Sequence, residues 1–149
     1  MAWSGGIRVT DLYSHEYFGK VSLVTDNPQR ALANVDIILL CLPGYAIEST
    51  LRSLKHYLKK EQVMGSIVSS TGFFMAHDIL GLDTKLFGFQ RTPFIARLSE
   101  YGHSANLLGY KKELKIAVEN IDNREEFRRI IERVFVTPTV LLIIIMKPV

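Results

Sequence analysis

An unbroken run of apolar residues from Ile37 to Leu42 is the clearest pattern in this chain. The run does not alternate with polar residues, which is typical of a strand covered on both faces in an α/β protein. It ends at Pro43-Gly44, and a helical pattern follows. Because open α/β sheets bind ligands at the carboxyl ends of their strands, the first candidates for contact with a small molecule are Leu42, Pro43, Gly44 and Tyr45. An ordinary turn after a buried strand is the alternative.

Helical periodicity follows this strand and returns near the end of the chain. Ile47, Leu51, Leu54 and Leu58 recur at spacings of four, three and four, which places them on one stripe of a helix. A shorter helix is expected where Asp26 or Asn27 can act as a cap before Pro28. The predicted helices run from 28 to about 34, from 45 to 60, from 73 to 80, and from a cap at Asp122 or Asn123 to Val134, the last burying Phe127, Ile130, Ile131 and Val134.

Short apolar runs between these helices predict strands. The predicted strands cover residues 21–25, 37–42, 63–70, 85–90, 105–108, 114–118 and 140–146. The last run is alternatively an aggregation-prone tail if nothing covers it. Strands that alternate with helices form βαβ units and a mostly parallel sheet. We expect the strands at 105–108 and 114–118 to form an antiparallel hairpin, with Gly109 at a positive φ angle. Residues 1–20 show no periodicity and are interpreted as a loop or weakly ordered lead-in, which leaves residues 21–149 as one domain.

Composition narrows the class of protein. The chain has 149 residues, enough for one domain, and its net charge of +3 does not by itself indicate a nucleic-acid partner. The single cysteine, Cys41, excludes an intramolecular disulfide and is expected to pack in the strand as a small hydrophobe. The N-terminus has no signal-peptide pattern and the apolar run from Val140 to Met146 is too short to cross a membrane, so a cytoplasmic location is expected.

Three passages together resemble the nucleotide-binding domain of the opine dehydrogenases of the octopine and nopaline type. They are residues 21–43, with the Ala33 to Pro43 strand and its exit; residues 87–93, ending in Gln90-Arg91-Thr92-Pro93; and residues 100–112. The resemblance implies a partial Rossmann-like, doubly wound and mostly parallel sheet with a C-terminal antiparallel hairpin. A resemblance to ketopantoate reductase or glycerol-3-phosphate dehydrogenase is the runner-up, because these proteins share less of the second and third passages.

The resemblance also implies an activity. Opine dehydrogenases condense an amino acid with a 2-oxo acid by reduction with NADH or NADPH, so NAD or NADP is the implied cofactor. Their glycine-rich turn, which holds the cofactor's pyrophosphate, has no counterpart in this sequence, nor does their C-terminal helical domain with its catalytic histidine. We therefore expect weak or no activity, and no NADH affinity tighter than about millimolar. His15, His56, His77 and His103 are all interpreted as surface or loop residues.

Site residues carried over from the resemblance lie at three strand exits. Leu42, Pro43 and Gly44 correspond to a loop beside the cofactor's ribose and pyrophosphate. Thr71 and Gly72 correspond to a loop near the nicotinamide. Gln90 and Arg91 correspond to a polar cleft position where an amide or guanidinium could bind a substrate carboxylate. Tyr45 is interpreted as a packing residue at the start of a helix, and Arg91 could equally have a structural role.

The strand at Ile37 to Leu42 lacks its usual first-strand neighbour in this sequence, so it is expected to be an edge. An apolar edge invites pairing with another chain. We therefore expect a homo-oligomer through this strand, unless the lead-in or the run from Val140 to Met146 fills the vacancy. The enzyme interpretation accordingly competes with a non-catalytic interaction module. Neither a nucleic acid nor a membrane is expected as a partner.

Overall fold

The structure, a computed structural model, describes residues 5–67 and 72–142. Its strands are β1 (Gly6–Asp11), β2 (Glu16–Lys20), β3 (Ile37–Leu40), β4 (Val63–Ser66), β5 (Lys85–Phe89), β6 (Phe94–Glu100), β7 (Ser104–Tyr110), β8 (Leu114–Glu119) and β9 (Thr139–Leu141). Its helices are α1 (Pro28–Leu32), α2 (Gly44–Leu54), α3 (Gly72–Leu80) and α4 (Arg124–Phe135), and a 3₁₀ turn at Lys55–Tyr57 extends α2.

The described strands form two sheets. The larger has five strands in the order β3-β4-β5-β8-β9, and the smaller has four in the order β2-β1-β7-β6. In the larger sheet β3, β4 and β5 are parallel, β8 is antiparallel to β5, and β9 is parallel to β8. The predicted α/β class with a mostly parallel sheet is therefore confirmed.

The hydrophobic core lies on the two faces of the five-stranded sheet. Alternate residues of β3 belong to different clusters, Ile38 and Leu40 to one and Ile37 and Leu39 to the other. The first cluster includes buried residues of α1, α2 and α3, and the second includes Phe127 of α4. Both faces of these strands are covered by helices, which explains why the run at Ile37 does not alternate in sequence.

Two helices begin at side-chain caps that the sequence predicts, and the predicted apolar stripes are buried in part. Asn27 accepts a hydrogen bond from the Arg30 amide at the start of α1, and Asn123 accepts one from the Glu126 amide at the start of α4. Ile47 and Leu51 are buried on α2, as predicted. On α4 only part of the predicted stripe is buried, because Ile130 and Val134 are exposed.

The first 25 residues differ from their prediction. Instead of a loop, β1 and β2 form an antiparallel hairpin, and β1 also pairs with β7 in parallel. Residues 21–25, predicted as a strand, have no strand structure. Leu23 and Val24 are exposed, so this segment gains no burial that would hold it beside a sheet.

The two strands predicted to form a hairpin, at 105–108 and 114–118, do not pair with each other. β7 pairs with β6, a strand that the sequence did not indicate, and β8 pairs with β5 and β9 instead of β7. Gly109 has no positive φ angle, whereas Gly102 in the β6–β7 turn has a φ of 75°. Alternation shows which face a strand buries, but it does not identify its partner.

The two edges of the five-stranded sheet are β3 and β9. β9 contains the first part of the run predicted at 140–146; residues 143–146 lie outside the described part. β9 pairs with β8, so it does not pair with β3 at the opposite edge. The lead-in, which contains β1 and β2, belongs to the four-stranded sheet. Among the described residues, β3 is therefore an open edge, as predicted.

The backbone hydrogen bonds show how this edge is arranged. The Val63 amide donates to Asp36 O at 2.9 Å and the Ile67 amide donates to Leu40 O at 3.1 Å. Since backbone groups alternate along a strand, those of Ile37 and Leu39 point away from β4. None of the helices in the described ranges is long and apolar enough to span a membrane.

Candidate functional site

The candidate site lies at the edge of the five-stranded sheet where β3, β4 and β5 end. β8 runs in the opposite direction, so its beginning lies at this same edge. The loops after β3 and β5 and the loop before β8 therefore converge there. This is the edge at which open α/β sheets bind ligands.

The loop after β3 leads directly into α2. Pro43 occupies the N-cap position without a side-chain cap, and the first turn of α2 holds no acidic residue. Helix N-termini have unpaired amides and a partial positive charge. A side chain added at Gly44 would meet no atom within 4 Å, so the backbone is open to close approach. Leu42, Pro43 and Gly44 are exposed here, at the edge where the prediction placed them.

Ser66, at the carboxyl end of β4, has a buried hydroxyl that sequence reasoning missed. The residue is 7% exposed, and its Oγ has no hydrogen-bond partner in the described structure. It lies opposite Leu40 in the β3–β4 register. An unpaired buried hydroxyl costs about 1–3 kcal/mol, which is unusual for a residue with only a structural role. A serine within the apolar run after Val63 was the available signal.

Gln90 and Arg91 line a shallow cleft of about 300 Å³ at the end of β5. Its other lining residues, before and at the start of β8, are Lys111, Glu113, Leu114 and Lys115. The backbone amide of Gln90 donates a hydrogen bond to the backbone carbonyl of Lys115 at 2.9 Å. This bond joins the end of β5 to the start of β8, which form the two walls of the cleft. Three cationic side chains and one carboxylate make the cleft suited to an anion. Sequence reasoning missed Lys111 and Lys115, because it paired β8 with β7 and so did not place them beside Gln90.

Two neighbouring residues differ from their predictions. Cys41 lies just beyond β3 and is exposed instead of packed in the strand, although partial desolvation still raises the pKa of its thiol. Tyr45 does not pack at the start of α2, since it is 90% exposed. Both side chains follow the last buried residue of β3, where the chain turns out of the sheet.

The loop after β4 is only partly described. Gly72 begins α3, at the same edge of the sheet as the other candidates. Thr71 lies outside the described residues, so its predicted place near a nicotinamide stays a prediction.

His77 is the exception among the histidines predicted to be at the surface or in loops. It is buried in α3, and its Nε2 lies 2.8 Å from Oε2 of Glu119. Glu119 ends β8 and pairs with Leu86 at the start of β5. The pair therefore lies at the amino ends of the parallel strands, away from the candidate site. In the described residues no cluster of side chains suited to a metal ion occurs.

Comparison with known proteins gives similarity over part of the chain. No family model matches. Tauropine dehydrogenase from Arabella iricolor is 30% identical over 105 residues, which cover 68% of this chain and 26% of that protein. Octopine dehydrogenase from Mizuhopecten yessoensis is 27% identical over 103 residues, covering 66% of this chain and 26% of the relative. The chain thus spans between a quarter and about a third of the length of the curated relatives it matches.

The fold is shared over a longer stretch. A solved octopine dehydrogenase, described as a complex with NADH and L-arginine, superposes with a TM-score of 0.79 at 19% identity. The match covers 93% of this chain and 37% of that one. The resemblance indicated by residues 21–43, 87–93 and 100–112 is therefore confirmed, and the chain is a homologue of the octopine and opine dehydrogenases with their Rossmann-like fold.

Proposed function

We propose that this chain is a nucleotide-binding portion of an NAD(P)-dependent oxidoreductase of the opine dehydrogenase type. The observation that carries the proposal is the convergence of three features at one sheet edge. They are the uncapped start of α2, the Ser66 hydroxyl, which has no partner among the described residues, and the Gln90-Arg91 cleft. The similarity to octopine and tauropine dehydrogenases supports the same assignment.

The residues at this edge fit a dinucleotide. The open backbone at Gly44 would receive a phosphate or ribose against the amides of α2, and the Ser66 hydroxyl offers a hydrogen bond to a group entering from the loop. A bound nicotinamide would supply hydride transfer. The chain itself would orient the cofactor and, through Gln90 and Arg91, hold a substrate carboxylate.

Affinity for the cofactor is expected to be weak. The sequence has no glycine-rich turn of the Gly-x-Gly-x-x-Gly type, and such turns hold the pyrophosphate. A dissociation constant near millimolar corresponds to about −4 kcal/mol. With so weak a complex, we expect little or no condensation of an amino acid with a 2-oxo acid by this chain alone.

An NMR titration tests the assignment. NADH added to the ¹⁵N-labelled chain should shift the amides of residues 41, 42, 44–46 and 90–91 and leave those at the amino ends of the strands unchanged. Gly44→Asp should abolish the shifts because its carboxylate repels the phosphates, whereas Gly44→Ala should retain them. Shifts confined to another surface would refute the proposed site. A micromolar dissociation constant would refute the expected weakness.

A second function is supported by the open edge of β3. We propose that two copies pair through this edge, antiparallel, so that the outward-facing backbone groups of Ile37, Leu39 and Cys41 bond across the dimer. The strand contains neither proline nor a charged residue, the features that protect edges from pairing. In this interpretation the chain is an interaction module and the Gln90-Arg91 cleft is vestigial.

Sedimentation of a proline variant tests this second function. Cys41→Pro should dissociate the dimer, since position 41 continues the outward-facing alternation and proline cannot donate a hydrogen bond. Cys41→Ala is the matched control, and it also excludes a dimer formed by a disulfide. A monomeric parent chain, or a dimer that persists in Cys41→Pro, would refute pairing through β3. The cytoplasmic location expected from the sequence stays a prediction.

A further inference from the structure

A second cleft lies at the opposite, amino edge of the five-stranded sheet. It has a volume of about 350 Å³ and runs between the end of α2 with its 3₁₀ turn and the loop that joins α3 to β5. Ligand pockets begin at roughly 300 Å³, so the cleft suits a small molecule. The candidate functional site described above lies at the opposite, carboxyl ends of these strands.

The floor of this amino-edge cleft is apolar. Ile38 and Met64 come from β3 and β4, and both are almost fully buried. Leu58 and Leu80 add half-buried aliphatic surface on either side. Since Ile38 and Met64 are already buried, a compact hydrocarbon body would mainly cover the accessible parts of Leu58, Leu80 and the exposed Leu82.

The rim of the amino-edge cleft is cationic. Its charged lining residues are Lys55, Lys59, Lys60, Lys85 and Asp83. Lys59 donates through Nζ to the carbonyl of Ala33. The other three ammonium groups form no ion pair with a carboxylate within the described ranges. An excess of unpaired positive charge at an apolar opening attracts an anion.

One wall of the amino-edge cleft is fixed by hydrogen bonds within the α3–β5 loop. Thr84 donates through its hydroxyl to Gly81 O at 2.9 Å. Asn120 donates through Nδ2 to Leu82 O at 2.6 Å and to Thr84 O at 2.9 Å. Asn120 adopts a φ of 55°, a left-handed conformation that asparagine tolerates better than most residues.

The opposite wall is fixed by Gln62, which is buried. Its Nε2 donates to Leu32 O at 2.8 Å and to Val35 O at 2.9 Å, and its Oε1 accepts from the Lys59 amide at 2.9 Å. Both walls are therefore held before any ligand arrives. A preformed site loses less conformational entropy on binding.

We propose that the amino-edge cleft binds a small amphipathic carboxylate, with the hydrocarbon part against Leu58, Leu80 and Leu82 and the carboxylate among Lys55, Lys60 and Lys85. This cleft is separate from the candidate functional site at the carboxyl ends of the strands. Binding to it does not depend on the proposed function. Charge and shape both select this class, because a purely polar anion would leave the three leucines exposed to water and a neutral apolar molecule would gain nothing from the lysines.

A pair of probes tests the proposal. Hexanoate should shift the amides of residues 58–64 and 80–85 in a saturable way in the ¹⁵N-labelled chain, with a dissociation constant in the millimolar range. Hexanamide, which has the same chain without the charge, should bind at least about tenfold more weakly. Absence of site-specific shifts with hexanoate up to about 10 mM, or equal shifts with hexanamide, would overturn the proposal.

A charge-matched pair of variants locates the site. Lys60→Gln combined with Lys85→Gln should weaken hexanoate binding about tenfold. Lys20→Gln combined with Arg133→Gln removes the same charge at exposed residues that line neither cleft and should leave binding unchanged. Equal weakening in both double variants would show a general charge effect and refute the site. Thermal unfolding of each variant verifies that the fold is retained.

Discussion

The ring of Phe87 occupies the space that a side chain at Gly65 would need. The two residues are opposite each other in the β4–β5 register, and a methyl group at Gly65 would overlap the ring. Phe87 is 2% exposed and packs edge-on against Phe89 and Phe127, with ring centroids 5.8 and 5.1 Å away. The ring therefore has no free space into which it could move.

Gly65→Ala should accordingly destabilise the chain. Overpacking a filled core costs about 1–3 kcal/mol, and urea denaturation measures this loss. Gly109→Ala is the control, because it lies in a strand where an added side chain would meet no atom within 4 Å. If Gly65→Ala is no less stable than Gly109→Ala, the close packing of Phe87 on β4 is wrong.

Ser66→Ala should raise stability in the absence of ligand. The variant removes a buried hydroxyl that has no partner in the described structure, and the expected gain in the free energy of unfolding is about 1 kcal/mol. Ser53→Ala serves as the comparison, since that hydroxyl donates to Thr50 O at 2.8 Å at an exposed position. A loss of stability in Ser66→Ala would mean that the hydroxyl is satisfied.

Gln62→Ala should be among the most damaging polar substitutions in the chain. It would leave the carbonyls of Leu32 and Val35 and the amide of Lys59 without their partner. We expect a loss of about 3 kcal/mol, since unsatisfied buried groups cost about 1–3 kcal/mol each. Gln62→Glu keeps the oxygen that accepts from the Lys59 amide and loses the Nε2 group that donates to the two carbonyls. Its free energy of unfolding, measured by urea denaturation, should therefore lie between those of the parent and Gln62→Ala. Parent-like stability of Gln62→Ala would contradict the structure.

Acid should loosen the attachment of β9 to α4. The Thr139 amide donates to Oε2 of Glu132 at 3.0 Å. This bond, followed by the side-chain bond with Arg128, lowers the pKa of Glu132. A lowered carboxyl pKa means that the stabilisation is present above the ordinary value and is lost as the pH falls through the folded-state pKa.

The Thr139 amide resonance reports this loss directly. It should be constant at neutral pH and move as the solution is acidified below about pH 4.5, the usual glutamate range. In Glu132→Gln the resonance should no longer follow this titration. Persistence of the same titration in Glu132→Gln would assign it to another group, such as Glu125, whose pKa is also lowered by its bond with Arg128.

Local signals predicted the elements better than their pairing. The sequence limited each cap to two candidates, Asp26 or Asn27 and Asp122 or Asn123, because a short polar side chain before a helical stripe has a local hydrogen-bonding role. The structure selects the asparagine in both cases. The pairing of β1 with β7 and of β8 with β5 joins distant segments, and no local pattern specifies it. β2 was missed because all five of its residues are exposed, which leaves no hydrophobic alternation.

The candidate site was predicted to the extent that topology alone defines it. Leu42 to Gly44 and Gln90-Arg91 follow apolar runs, and any parallel sheet gathers such exits at one edge. Lys111 and Lys115 join Gln90 only because β8 runs antiparallel to β5. The unpaired state of Ser66 depends on what surrounds its hydroxyl, which the sequence does not show.

The pairing of β1 with β7 bears on how the chain acquires its structure. Arg8 lies opposite Ser104, so this pair closes a loop made of most of the chain, and such closure has a high entropic cost and slows folding. Both hydrophobic clusters belong to the five-stranded sheet. We expect that sheet to form first and the four-stranded sheet to assemble on it last. In hydrogen exchange, the amides of β1 and β2 should therefore lose protection before those of β4 and β5.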